Sequence, residues 1–354
     1  MNRREVDGDE VRRLLGIPFS DEQMDAIRAP LEPGVIIAGA GAGKTAVMAA
    51  RVVWLVASGL VRPEQVLGLT FTRKAAGELA QRVGQSLERA GLGPSFAPGP
   101  EEWTGVDEVG EPVVMTYDAF AADLVAQHGL RIGVERDVTM LTDATRYRLA
   151  GRVVARSGKH LGARAGLGPE TIAERLLALD QGLASHLVSA DDVIEHAHRQ
   201  HAMWAEAPPA RGGKPYKDVV TAQGVLAERL ELAQLVGEYR SLKRELGVVE
   251  FADQMQVAAR LVREVPVVGR IARDNHAVVL LDEYQDTSAA QVEVLRRLFS
   301  GSAPDDGRGH PVTAVGDPFQ AIYGWRGAAA ANIGQFPEDF PATDGTRASS
   351  FTLA

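Results

Sequence analysis

Val35-Ile36-Ile37-Ala38-Gly39-Ala40-Gly41-Ala42-Gly43-Lys44-Thr45 is an apolar run that breaks into alternating glycines and ends on a lysine and a hydroxyl. A strand, a glycine-rich turn and a helix start, in that order, let backbone N–H groups close around phosphate at the positive end of a helix dipole. Ala40, Gly41, Ala42 and Gly43 supply the turn, Lys44 a mobile charge for terminal phosphates, and Thr45 a hydroxyl for Mg²⁺. The first position of the pattern is Ala38 rather than glycine, where only a small residue is required. Far downstream, Val278-Val279-Leu280-Leu281-Asp282-Glu283 is a second apolar run, closed by two carboxylates. Asp282 suits the metal shell, and Glu283 suits orienting and deprotonating a water. Alone, each segment has a mundane reading, a tight connection or a helix cap. Together they predict a nucleoside-triphosphate site.

Other apolar runs surround these two. Val35–Ala38, Val66–Thr72, Val113–Thr116, Ala277–Asp282 and Val312–Gly316 read as strands of a parallel sheet, and Thr45 to Ser58 as a crossover helix. Each run ends in small or polar residues, as expected where ligands sit beyond the carboxyl ends of an open α/β sheet. From Ala119 to Leu246 the strand runs cease, and Ala, Leu, Arg and Glu recur at helical spacing. The expectation is an α/β domain in two parts, 1–118 and 247–354, split by an all-helical insertion over 119–246. Gly91 to Pro112 and Ser300 to Pro311 read as loops, and Arg211 to Lys217 as a basic turn, either a solvated linker or a phosphate contact.

Composition narrows the function. The 354 residues exceed one small core, and 47 acidic against 38 basic residues leave a net charge of −9. Such a balance argues against a general nucleic-acid binder, so contact with a polyanion would need a local groove. Zero cysteines exclude disulfides, thiolate zinc sites and cysteine-held iron–sulfur clusters within these residues. No apolar run reaches membrane-spanning length and the N-terminus lacks a signal core, so the expected location is cytoplasmic, with no membrane partner. His196, His198 and His201 lack a completing carboxylate or cysteine and read as a solvated helix.

Four further segments carry a family resemblance: Phe19-Ser-Asp-Glu-Gln23, Thr70-Phe-Thr-Arg-Lys-Ala-Ala76, Asp282-Glu-Tyr-Gln-Asp-Thr287 and Val315-Gly-Asp-Pro-Phe-Gln-Ala-Ile-Tyr-Gly-Trp-Arg-Gly-Ala328. With the glycine-rich loop, in this order and spacing, they resemble the motifs of superfamily 1 DNA helicases of the UvrD/Rep/PcrA type. Met115-Thr-Tyr-Asp118 and Glu250-Phe-Ala-Asp253 are weaker counterparts, and the wording is closest to AdnB-type subunits of actinobacterial helicase–nucleases. The resemblance implies a RecA-like motor domain with a helical insertion, burning ATP with Mg²⁺ and moving 3′-to-5′ on single-stranded DNA in repair or recombination. It implies adenine contact by Gln23, although Ser20-x-x-Gln23 is also a capping box. Gln320 would meet the γ-phosphate or the attacking water. Phe71, Thr72, Arg73, Tyr323, Trp325 and Arg326 would grip DNA, by stacking and phosphate contact. Core packing for the aromatics and a solvated helix start for Arg73 and Lys74 are the alternatives. A second helicase–nuclease subunit is an implied partner. Ala42 and Ala46 stand where the family often has Ser and Arg. The chain stops at Phe351-Thr-Leu-Ala354, where the family's next motif would begin, so the second motor domain and its arginines are expected to be missing. An arginine finger contributes about 10³–10⁵ in rate, so turnover by this chain alone is expected to be weak, and a non-catalytic half-motor that needs a partner chain is the rival expectation.

Overall fold

The computed structural model describes residues 6–92, 110–135, 139–157, 166–206, 213–322 and 331–353. The described residues up to 134 and from 258 onward form one compact unit, and 135–257 form another. In chain order the first unit opens with α1 (Gly8–Leu15), α2 (Asp21–Ile27), β1 (Gly34–Ala38), α3 (Lys44–Ala57), β2 (Val66–Thr70), α4 (Arg73–Arg89), β3 (Val113–Thr116) and α5 (Tyr117–His128). The second contains β4 (Thr139–Met140), α6 (Asp143–Ser157), α7 (Pro169–Ser185), α8 (Ala190–Ala205), α9 (Lys217–Glu245) and β5 (Val248–Val249). Helix α10 (Phe251–Glu264) leads back to the first unit, which adds α11 (Val267–Asn275), β6 (Val278–Leu281), α12 (Ala289–Phe299), β7 (Val312–Gly316), α13 (Ala331–Asp339) and β8 (Ser349–Leu353).

Six strands make one parallel sheet in the order β3-β2-β6-β7-β1-β8. All residues of β2, β6 and β7 are buried, which is why these strands read as largely apolar runs rather than alternating ones. Val278 and Leu280 join Ile36, Ala38 and Val315 in a core shared with α1, α3 and α4. Helix α3 is buried almost all round, from Val47 through Val56, and so is a central helix. Helix α4 buries only the stripe Ala76, Leu79, Val83 and Leu87.

Three sequence expectations change. The chain forms a sixth strand, β8, where no strand was expected: it lies along β1 from Gly34 opposite Ser349 to Ala38 opposite Leu353. Residues 119–134 fall in the first unit, since α5 buries Phe120, Ala121, Leu124 and Val125, with Phe120 stacked 6.4 Å from Phe299. Residues 247–257 fall in the second. Among its described residues that unit is helical apart from a two-residue parallel ladder, Thr139–Met140 with Val248–Val249.

The second unit packs α6, α7 and α9 through Leu149, Val153, Leu176, Leu177, Val236 and Tyr239. Beside this core Lys243, only 4% exposed, donates to Asp180 at 3.1 Å, Glu250 at 3.2 Å and Asp253 at 2.8 Å. Burial alone would depress its pKa, but the three carboxylates raise it. Glu250 and Asp253 therefore serve a buried charge network. His196, His198 and His201 are exposed on α8. Among the described residues no helix is long and apolar enough to cross a membrane.

Candidate active site

Because β2, β6, β7 and β1 are neighbours in that order and all parallel, their carboxyl ends bring four sequence-distant segments to one edge of the sheet. These are the turn 39–43, Phe71–Thr72, Asp282–Glu283 and Asp317–Gln320. Gly41 and Gly43 adopt φ 82° and 80°, in the left-handed region that glycine enters without penalty. Helix α3 then starts without a side-chain cap and without an acidic residue in its first turn, so its first N–H groups are left for a ligand. A side chain at Gly41 would enter open space. The cradle fits phosphate, and its floor is basic: Lys44 donates to the Ala38 carbonyl at 3.4 Å and stands 4.0 Å from Glu283. Thr45 follows at the helix start, half-buried.

The two carboxylates at the end of β6 have different surroundings. Asp282 is 7% exposed and accepts from the Thr70 hydroxyl at 3.3 Å, while its N–H donates to the Leu69 carbonyl. Burial, followed by the neighbouring charge of Glu283, pushes its pKa up to about 6. A dication beside it would relieve both effects, so the donor set of Asp282 and Thr45 fits Mg²⁺. Glu283 is more open, and its backbone is left-handed at φ 49°, ψ 41°, unusual for a residue with a Cβ.

Gln285, which sequence reasoning did not single out, explains how Glu283 is held. Its Nε2 donates to Glu283 Oε2 at 2.9 Å and to Asp286 Oδ2 at 3.2 Å, while its Oε1 accepts from the Asp317 N–H at 3.0 Å. Glycine at 316 leaves room for this arrangement, since a Cβ there would displace that same Oε1. Asp317 in turn accepts from Gln320 Nε2 at 2.6 Å. Hydrogen bonds therefore run Glu283–Gln285–Asp317–Gln320, from the end of β6 to the turn after β7. Only the position of Gln285 inside the acidic motif hinted at this, because its partners lie on another strand. Gln285→Ala is expected to lower kcat for nucleotide hydrolysis about 10- to 100-fold, the loss of a hydrogen bond to a charged group, with KM little changed. Steady-state kinetics check this; a raised KM with unchanged kcat would make Gln285 a binding residue only.

The remaining predicted residues are placed as follows. Gln23 forms the capping box, its Oε1 accepting from the Ser20 N–H at 3.0 Å, and its Nε2 also donates to the Ala42 carbonyl at 3.0 Å. It reaches the glycine-rich turn while capping its own helix. Thr72 caps α4 by accepting from the Ala75 N–H at 3.1 Å; Arg73 is exposed at that helix start. Phe71 is half-buried, 5.0 Å from the Tyr117 ring, and the Tyr117 hydroxyl donates to the Asp282 carbonyl at 3.0 Å. Burial and the nearby Asp282 raise the pKa of Tyr117 well above the usual phenol, so it remains a donor. A ring contact and a hydrogen bond thus join Phe71 to the Asp282 strand end. Tyr323, Trp325 and Arg326 lie outside the described residues.

Residues 19–341 match the family model described as UvrD/REP helicase N-terminal domain. DNA helicase II of Escherichia coli (strain K12) is 26% identical over 329 residues, covering 93% of this chain and 37% of that protein. The ATP-dependent DNA helicase UvrD1 of Mycobacterium leprae (strain TN) is 27% identical over 338 residues, 94% of this chain and 37% of the relative. The ATP-dependent DNA helicase PcrA of Staphylococcus epidermidis (strain ATCC 35984) is 27% identical over 324 residues, 91% and 36% respectively. The chain spans a little over a third of the length of these relatives.

Proposed function

As a member of the UvrD/REP helicase N-terminal domain family, this chain is, we propose, an ATP-hydrolysing motor domain of a DNA helicase or translocase that acts on single-stranded DNA, 3′-to-5′, in repair or recombination. One observation carries the reading. The glycine turn with its uncapped helix start, Lys44, Asp282 and the more open Glu283 meet at one sheet edge, with Lys44 and Glu283 4.0 Å apart. In this reading Ala40, Gly41, Ala42 and Gly43 wrap the phosphates with backbone N–H groups, and Lys44 draws charge from the terminal one. Thr45 and Asp282 would hold Mg²⁺, which would supply charge neutralisation at the phosphates. Glu283 aligns the attacking water and takes its proton, and Gln320 meets the γ-phosphate or that water from the neighbouring strand end. Gln23 contacts adenine.

DNA lies, on this proposal, against Phe71, Thr72 and Arg73, with Tyr323 and Trp325 stacked on bases and Arg326 on a phosphate. A surplus of acidic residues makes such a grip local, and hence steeply dependent on salt. The finer resemblance to AdnB-type subunits adds a second helicase–nuclease subunit as the proposed partner.

The test is Mg-ATP binding and hydrolysis with and without single-stranded DNA, beside Lys44→Ala and Trp325→Ala. Binding lost in Lys44→Ala, and a DNA response lost in Trp325→Ala with nucleotide binding intact, support the motor. Hydrolysis indifferent to DNA and to Trp325→Ala would make the protein an ATPase switch unrelated to nucleic acid.

A further inference from the structure

Arg51 lies in the middle of α3, otherwise apolar from Ala46 through Ala57, and is 1% exposed. Among the described residues no carboxylate pairs with it. Its partners are carbonyls: Ala26 at 3.4 Å, Ile27 at 3.1 Å and Ala29 at 2.8 Å from one terminal nitrogen, and Pro30 at 3.0 Å from the other. Its Nε donates to the Thr313 hydroxyl on β7 at 3.1 Å. The four carbonyls belong to one segment, the end of α2 and the turn beyond it, where a helix leaves its last acceptors unsatisfied and its dipole negative. Burial pushes the guanidinium down to about 10, so it is still charged at neutral pH.

An apolar side chain of similar length would fill this position without the desolvation cost of a charge. What the guanidinium adds is geometry, since its planar fork fastens three elements at one point. At the other end of α2, Gln23 holds the Ala42 carbonyl, and it crowds Gly43 so closely that an added Cβ would stand 3.2 Å from its Nε2. Helix α2 is therefore a strut, tied to α3 and β7 by Arg51 at one end and to the glycine turn by Gln23 at the other.

We infer that Arg51 is a positioning residue for the phosphate-binding turn, acting through α2 and Gln23 rather than by touching nucleotide. The consequence for nucleotide affinity rests on the proposed ATP site; the effect on the turn itself does not.

Two measurements on the full chain test this, using Arg51→Met, Arg51→Lys, Gln23→Ala and the double variant Arg51→Met/Gln23→Ala. Hydrogen exchange of the peptide containing 39–43, without ligand, should be faster in each single variant and no faster in the double one. Titration with a fluorescent ATP analogue and Mg²⁺ should show affinity weakened about tenfold by Arg51→Met, and by at most about twofold when Gln23 is already Ala. Arg51→Lys, which keeps the charge but not the fork, should fall between wild type and Arg51→Met, and it carries the cycle if Arg51→Met does not fold. A lower melting temperature with exchange of the turn unchanged, or effects on exchange that simply add in the double variant, would overturn the inference and leave Arg51 a structural residue. Absence of nucleotide binding in wild type, with exchange responding as expected, would overturn the ATP reading instead.

Discussion

Glu283→Gln is expected to lower ATP hydrolysis about 10²- to 10⁴-fold, the range that a positioned general base contributes, while Mg-ATP affinity stays at the wild-type level. The substitution preserves size and a hydrogen-bonding head but removes the proton acceptor. Glu283 is suited to that role by access and by aim. Its side chain is 38% exposed, against 7% for the Asp282 residue, so a water can reach it. The left-handed backbone turns it away from the strand direction, and Gln285 holds one carboxylate oxygen at 2.9 Å. In the proposed mechanism two adjacent carboxylates in unlike surroundings divide the labour, one for the metal and one for the water. Single-turnover hydrolysis against the wild-type chain, with a parallel binding titration, checks the prediction. Equal loss of binding and turnover would mean that Glu283 helps to hold nucleotide, and unchanged turnover would remove it from the chemistry.

Asp282→Asn should do two opposite things: abolish Mg²⁺-dependent nucleotide binding and stabilise the ligand-free protein. Asp282 has a folded pKa near 6 against an ordinary value of 3.8, chiefly through burial. A raised carboxyl pKa means that the folded state holds its proton more tightly than the unfolded chain. The stability from that proton is fully present below pH 3.8 and is lost as pH rises through about 6. At pH 7.5 the ionised carboxylate therefore costs roughly 3 kcal/mol, which Asn does not incur. Denaturant melts without Mg²⁺ or nucleotide should place the variant above wild type at pH 7.5, with the gap closing toward pH 4. A variant less stable than wild type at pH 7.5 would show that Thr70 and the surrounding groups favour the charged form. A metal held by Asp282, as proposed, would offset that cost.

Much of the sheet was legible because its central strands are buried on both faces. Val66–Thr70, Val278–Leu281 and Val312–Gly316 are largely apolar runs without polar alternation for that reason. Ser349–Leu353 escaped notice because an edge strand needs little hydrophobicity: two serines and a threonine serve when β1 supplies the ladder. The turn at 39–43 and the Asp282–Glu283 pair stood out because the proposed phosphate and metal chemistry would demand those residue types locally. Gln285 and Arg51 were not, since each acts through partners on other elements, Asp317 for one and Thr313 with the end of α2 for the other. A charged residue within an apolar helix is invisible until its acceptors are known. Gln23 caps α2 with its oxygen, as one of its two readings had it, and its nitrogen holds the Ala42 carbonyl, a contact its sequence position did not announce.

The sheet order also sets a timetable for the newly made chain. The strand that launches the glycine turn emerges early, yet Ile36 has no neighbouring strand until Val315 arrives on one side and Phe351 on the other. Contacts so distant in sequence form late, because the loop-closure entropy must be met before they return any stabilisation. During synthesis the turn at 39–43 is therefore exposed and unshaped while every residue of the helical unit is added behind it. In the proposed reading, nucleotide would find a shaped turn only once β7 and β8 have closed on β1.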